Sequence, residues 1–166
     1  MKMSIEKAKA TGSKQLVTFQ LGEDSYGIDI MRVKEIYATH PVRPIPHAPA
    51  YIEGVLNLRG EIIPIINLHK RFGIKKAELT EDDEMLSGFV IIDVMSLKLG
   101  IIIDKILRVA DVDEGSIQPP PQMIASIGAE YIEGVSPQKE GYLVVFDVDK
   151  LFDIKELSKL RQIQAS

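Results

Sequence analysis

A five-residue phrase occurs twice in this chain, eighty residues apart. Tyr51-Ile52-Glu53-Gly54-Val55 returns as Tyr131-Ile132-Glu133-Gly134-Val135. The same register carries Ile62-Ile63-Pro64-Ile65-Ile66-Asn67-Leu68 onto Tyr142-Leu143-Val144-Val145-Phe146-Asp147-Val148, and Lys70 and Phe72 onto Lys150 and Phe152. A repeat at fixed separation is one structural unit built twice. What both copies keep is what the unit needs to fold. What one copy alone carries is freer to serve function. Gly54 and Gly134 recur, so they read as backbone requirements.

The hydrophobic pattern gives the elements of each copy. Leu16 to Leu21 alternates, Gly22-Glu23-Asp24-Ser25 turns, and Tyr26, Ile28 and Ile30 alternate again, which is a hairpin. Met31 to Tyr37 reads as a helical turn passing into a short strand. Four prolines from Pro41 to Pro49 make an extended connector. Val55 to Leu58 and Glu61 to Leu68 are strands joined at Arg59-Gly60, and Pro64 marks an edge or a bulge. The second copy repeats the plan. Phe89 to Val94 and Lys98 to Asp104 form its hairpin, with Gly100-Ile101-Ile102-Ile103 in the place of Gly27-Ile28-Asp29-Ile30. Ile154, Leu157 and Leu160 recur every three residues and predict a short amphipathic C-terminal helix.

Short strands and frequent turns indicate an all-β fold, with two five-stranded β-barrels side by side. The expected division is a frayed tail over 1–13, a first lobe over 14–80, a second over 81–153, and a helix and tail over 154–166. The charged stretch Lys75 to Glu84 reads as the solvated boundary between lobes. Each copy has only about 70 residues, which is marginal alone, so the lobes are expected to pack together and unfold together.

Composition narrows the function. The 166 residues carry a net charge of −4, with a pI near 5.4. A nucleic-acid or anionic-membrane surface calls for a basic patch instead. Aromatics are 6% with no tryptophan, which disfavours a base-stacking platform. There is no cysteine, so disulfides and thiolate metal sites are excluded. No apolar run approaches the ~20 residues of a membrane span, and Met1 to Lys14 lacks the apolar region of a signal peptide. No phosphate-binding glycine loop, zinc-hydrolase helix motif or nucleophile elbow occurs. His40, His47 and His69 have no close ligand spacing and read as structural or surface residues. The expectation is a soluble cytoplasmic protein that is not an enzyme, with no cofactor and no metal.

Asn57-Leu58-Arg59-Gly60 stands out against that background. The second copy has Pro137-Gln138-Lys139-Glu140 there, so the unit folds without this arginine. Arg59 is either a solvated turn residue or an exposed planar fork suited to a partner's carboxylate. Ile30, Val33 and Ile36, with Ile106 and Val109 in the second copy, are core residues or the rim of a groove. For Ile36 and Ile106 the core is the stronger reading.

These residues carry a resemblance. Tyr26-Gly27-Ile28-Asp29-Ile30 through Val33-Lys34-Glu35-Ile36, the run from Ile52 to Leu68, and Gly100 to Ile106 resemble the CheW family of bacterial chemotaxis coupling proteins, over roughly residues 15 to 153. The resemblance implies two SH3-like barrels and a non-enzymatic adaptor. It implies two partners: the regulatory domain of the chemotaxis histidine kinase and the cytoplasmic tip of a chemoreceptor, within membrane-associated receptor arrays. By the same resemblance, Arg59 and Glu35, with Asn57 in the same turn, fall at coupling positions. Ile30, Val33, Ile106 and Val109 fall near a groove for the receptor tip. Other readings are a coupling-like piece of a larger kinase or receiver fusion, and a nucleic-acid-binding small barrel. A free-standing adaptor is preferred if the gene ends where this sequence ends.

Overall fold

Each copy of the repeat opens with a hairpin and gives it to the other copy. The protein is described here as a computed structural model covering residues 12–120, 128–139 and 141–165. The first copy supplies strands β1 (Ser13–Leu21), β2 (Asp24–Asp29), β3 (Val33–Ala38), β4 (Ile52–Leu58) and β5 (Glu61–Ile66), then helix α1 (Leu68–Phe72). A four-residue helix, α2 (Glu81–Glu84), precedes the second copy: β6 (Gly88–Val94), β7 (Leu97–Ile103), β8 (Lys105–Asp113), β9 (Ile132–Gln138) and β10 (Gly141–Phe146). Helix α3 (Ile154–Ala165) follows.

The first sheet has the order β8-β1-β2-β10-β9, and the second β3-β6-β7-β5-β4. Hairpin β1–β2 thus sits among the last three strands of the second copy, and hairpin β6–β7 among the last three of the first. The expected split at residue 80 therefore does not separate the two sheets, because every sheet draws on both halves. The short crossovers explain the exchange. After β2 the chain takes one 3-10 turn, Ile30–Arg32, and enters β3 of the other sheet, with Asp29 capping the turn at Met31 N. After β7, Asp104 alone separates the hairpin from β8. A strand continuing almost directly into the next cannot fold back to pair beside itself. Of the tail expected over 1–13, residues 1–11 lie outside the described range, and Ser13 already belongs to β1.

Both sheets close by the same device. Beyond β3, Arg43 exchanges backbone hydrogen bonds with Val55 of β4 at 2.9 Å each way. Beyond β8, Gln118 does the same with Val135 of β9 at 2.8 Å. The repeated glycines allow this approach. A Cβ on Gly54, whose φ is +153°, would lie 2.2 Å from the Arg43 carbonyl oxygen, and one on Gly134 would lie 2.4 Å from that of Gln118. Pro64 is a departure from expectation, since β5 lies between β7 and β4. Its missing N–H is harmless because the parallel ladder with β7 begins only at Ile65.

The central strands β6 and β7 bury both faces, which is why they read as continuous apolar runs. On β6, Val90, Ile92 and Val94 join a large cluster shared by both sheets, together with Phe19, Tyr26 and Phe146. Phe89 and Ile91 face a second cluster with Leu56 and Ile63. Leu16, Leu143 and Val145 form the matching cluster within the first sheet.

Helix α3 docks on its own chain. Leu157 and Leu160 are buried, while Ile154, expected on the same face, is exposed. Arg71 of α1 donates to both Glu156 oxygens at 2.6 and 2.9 Å and to the Leu151 carbonyl at 2.7 Å. Its guanidinium lies 4.7–5.8 Å from the rings of Tyr51, Phe72, Tyr131 and Phe152. These are two repeat-related pairs, so one arginine stands where the copies meet. Burial works to raise the Glu156 pKa, and the Arg71 and Asp153 hydrogen bonds outweigh it and hold the carboxyl below its usual range. Burial and the bond it donates to Glu156 push the Tyr51 phenol up to about 12.

Candidate functional site

The turn between β4 and β5 is two residues long, with Leu58 opposite Glu61. Arg59 has φ +52° and Gly60 φ +85°. Positive φ at both central positions is the geometry that matches strand twist in tight hairpins. Glycine or asparagine is the ordinary occupant, and a side-chained residue there costs about 1 kcal/mol or more. Asn57 offsets part of that cost, because its Oδ1 accepts the Gly60 N–H at 3.0 Å. The Arg59 side chain is 72% exposed and pairs with the Glu35 carboxylate of β3. Sequence spacing separates Glu35 from Arg59, and closure of the second sheet brings them together.

Glu61 and Lys98 extend the polar face, with the ammonium 3.0 and 3.2 Å from the two carboxylate oxygens. Exposed pairs of this kind contribute little to stability, typically about 0–1 kcal/mol. Arg59 is thus an exposed arginine held at positive φ.

The apolar candidates separate into two groups. Val33 and Ile106 are half-buried against the shared core. Ile30 is half-buried in the 3-10 turn. Val109 is 50% exposed on β8. Ile36, expected in the core, is 49% exposed on β3. Both lie on edge strands, one in each sheet, and alternation along the strand turns Val33 inward and Ile36 outward.

Folding also joins groups that sequence spacing keeps apart. His69 is nearly buried, and its Nε2 lies 2.9 Å from Asp104 Oδ2. The same carboxylate oxygen accepts the backbone N–H groups of Gly22 at 2.7 Å and Ala77 at 3.1 Å. This cluster ties the β1–β2 turn to α1 and to the segment between the copies. Among the described residues no three or more His, Cys, Asp or Glu side chains gather as a metal cage. No described helix is long and apolar enough to cross a membrane.

A family model described as a CheW-like domain matches residues 15–156. The chain belongs to the CheW-like family. The chemotaxis protein CheW of Treponema pallidum is 62% identical over 149 residues, covering 90% of this chain and 88% of that protein. CheW of Bacillus subtilis is 30% identical over 149 residues, covering 90% and 92%. The crystal structure of the scaffolding protein TtCheW from Thermoanaerobacter tengcongensis superposes with a TM-score of 0.76 at 36% identity, covering 86% of this chain and 90% of that one. The CheW-like match spans both sheets, so the exchanged hairpins lie within one family domain. CheW relatives and a CheW scaffold structure support a chemotaxis coupling or scaffold protein as the coarse functional class.

Proposed function

We propose that this CheW-like chain is a non-enzymatic adaptor. It couples chemoreceptor cytoplasmic tips to the regulatory domain of the chemotaxis histidine kinase, in the cytoplasm at membrane-bound receptor arrays. The observation that carries the reading is Arg59, exposed and held at positive φ in the one copy of the repeat that has it. In this reading Glu35 and Arg59 form the polar contact and Asn57 sets the turn that presents them. Val109 and Ile36 offer exposed apolar contact, and Ile30, Val33 and Ile106 add half-buried apolar side chains. An amphipathic receptor helix fits such a surface through its i, i+3, i+4 face. Affinities near micromolar, about −8 kcal/mol, suffice when several links act together in one array.

The test is titration calorimetry of the purified chain against the kinase regulatory domain and against a receptor cytoplasmic fragment, each alone. Binding to both is expected, with Arg59→Ala weakening at least one by about tenfold, in the range of an interface hot spot. A chain that binds neither ends the adaptor reading.

A further inference from the structure

The two exchanged hairpins each turn through two residues, Gly22-Glu23 between Leu21 and Asp24, and Met95-Ser96 between Val94 and Leu97. The spacing that carries Gly27 onto Gly100 carries Gly22 onto Met95. The eighty-residue repeat carries Phe72, Ile74 and Lys75 onto Phe152, Ile154 and Lys155. The same turn thus meets the same segment twice in the molecule. At the first meeting Gly22 has φ +63°, and a Cβ there would lie 2.7 Å from Ile74 Cγ2 and 2.8 Å from the Lys75 carbonyl oxygen. That contact is closed, and Ile74 packs against the shared core.

Its twin is open. Met95 has φ +51° and Ser96 φ +67°, a left-handed backbone that glycine adopts freely and a long side chain does not. The Asp93 carboxylate holds this turn by accepting the Ser96 N–H at 2.9 Å, and Arg161 of α3 donates to the Met95 carbonyl at 2.5 Å. Met95, Phe152, Ile154 and Leu157 line a pocket of about 520 Å³ where the turn meets the start of α3. Phe152 and Leu157 are buried, Met95 is 53% exposed and Ile154 83%. Met95 therefore belongs to the apolar wall beside α3 and is open to solvent as well. The chain has no cysteine, so its oxidisable sulfur is all thioether. Met31 and Met85 are also exposed, in the 3-10 turn and just after α2. Among the described methionines, Met95 is the one that lines the α3 pocket.

We propose that Met95 is a peroxide-oxidation site coupled to the docking of α3. The thioether sulfur attacks one oxygen of hydrogen peroxide. An S–O bond forms as the O–O bond breaks, sulfur gives up two electrons, and the peroxide leaves as water. The sulfoxide is polar and costs free energy against Phe152, Ile154 and Leu157. Turned out to solvent, it withdraws apolar cover from the start of α3. Glu156, the partner of Arg71 where the copies meet, lies in that turn of the helix. Oxidation at one hairpin tip thus reaches the junction of the two copies.

The experiment treats the full chain, Met95→Leu and Met95→Gly with dilute hydrogen peroxide. Peptide mass spectrometry locates each sulfoxide, and amide hydrogen exchange follows the opening of α3. Leucine keeps apolar bulk without sulfur, and glycine is what the twin turn uses. In the wild type, Met95 is expected to convert along with Met31 and Met85, and the α3 amides to exchange tenfold faster or more. Both variants, with Met31 and Met85 converted, are expected to stay within twofold of their untreated rates. Methionine sulfoxide reductase is expected to restore the wild-type rate. Equal acceleration in wild type and variants overturns the coupling. So does Met95 sulfoxide without faster exchange, acceleration that persists after Met95 is reduced, or Met95 left unconverted while Met31 and Met85 convert. No readout uses a partner, so each outcome is separate from the adaptor reading.

Discussion

The two sheets share one strand order and one closing device but differ at matching positions of their edges. In the second sheet, Glu35 and Arg59 meet as a self-contained pair at a turn whose backbone is held at positive φ. In the first, the matching positions hold two cations, Arg108 and Lys139, beside an open groove. Duplication makes the difference readable, because the framework is held constant by its own twin. Gly54 and Gly134 are equal because both sheets close through them. The turn residues are unequal because closure does not involve them.

The largest effects are expected where the copies agree. Gly54→Val drives a Cβ toward the Arg43 carbonyl at a positive φ and is expected to cost about 3 kcal/mol or more. Gly134→Val meets the same obstacle without a positive φ and is expected to cost less. Urea unfolding followed by far-UV circular dichroism and by tyrosine fluorescence checks both. Because the hairpins are exchanged, each variant should lose both sheets in one transition. Two separated transitions would break the coupling inferred from the strand order.

Next comes the arginine where the copies meet. Arg71→Ala removes the cation from the part-buried Glu156, leaving only the Tyr51 hydroxyl and Asp153 N–H as its donors, and is expected to cost about 2–3 kcal/mol. Arg32→Ala removes the more exposed pair with Asp149 and is expected to cost under about 1 kcal/mol. Equal costs in thermal melts would erase the distinction between a central and a peripheral pair.

Acid should act through the same groups. The Asn67 and Lys70 hydrogen bonds hold Glu53 below its ordinary pKa, the Arg32 hydrogen bond does so for Asp149, and Glu156 is lowered despite its burial. A carboxyl whose folded pKa is depressed stabilises fully above its unfolded value and loses that contribution as pH falls through the folded value. Stability measured by denaturant titration should therefore hold at neutral pH and decline below about pH 4.5. Glu156→Gln should flatten part of the decline.

The smallest stability effect is expected at the site itself. Arg59→Ala should move stability by no more than about 0.5 kcal/mol, since its pair is exposed. A larger loss would make Arg59 a structural residue and remove the contrast with Lys139.

Much of this was legible in the sequence because local rules carried it. The repeat, the hairpins, the helical turn before β3 and the Arg59-Gly60 turn follow from alternation and turn chemistry within a few residues. The partner of each hairpin is not local, since period-two alternation is satisfied whichever set of strands receives it. Residue 80 therefore looked like a boundary although both sheets cross it. His69 and Asp104 escaped for the same reason, being united only by the crossover after β7. Ile36 and Ile154 sit at apolar positions of correct period, but each is left exposed among the described residues. At the site, Arg59 was visible as a difference between copies. Arg108 and Tyr142 appeared ordinary until folding brought both to the lining of one groove.

The reciprocal exchange of hairpins has one more consequence. A polypeptide severed in the stretch before α2 would yield two fragments, each holding three strands of one sheet and the missing pair of the other. Neither has a complete sheet on its own, and together they contain all ten strands, each once. Each piece therefore lacks, for either sheet, the strands that the other carries.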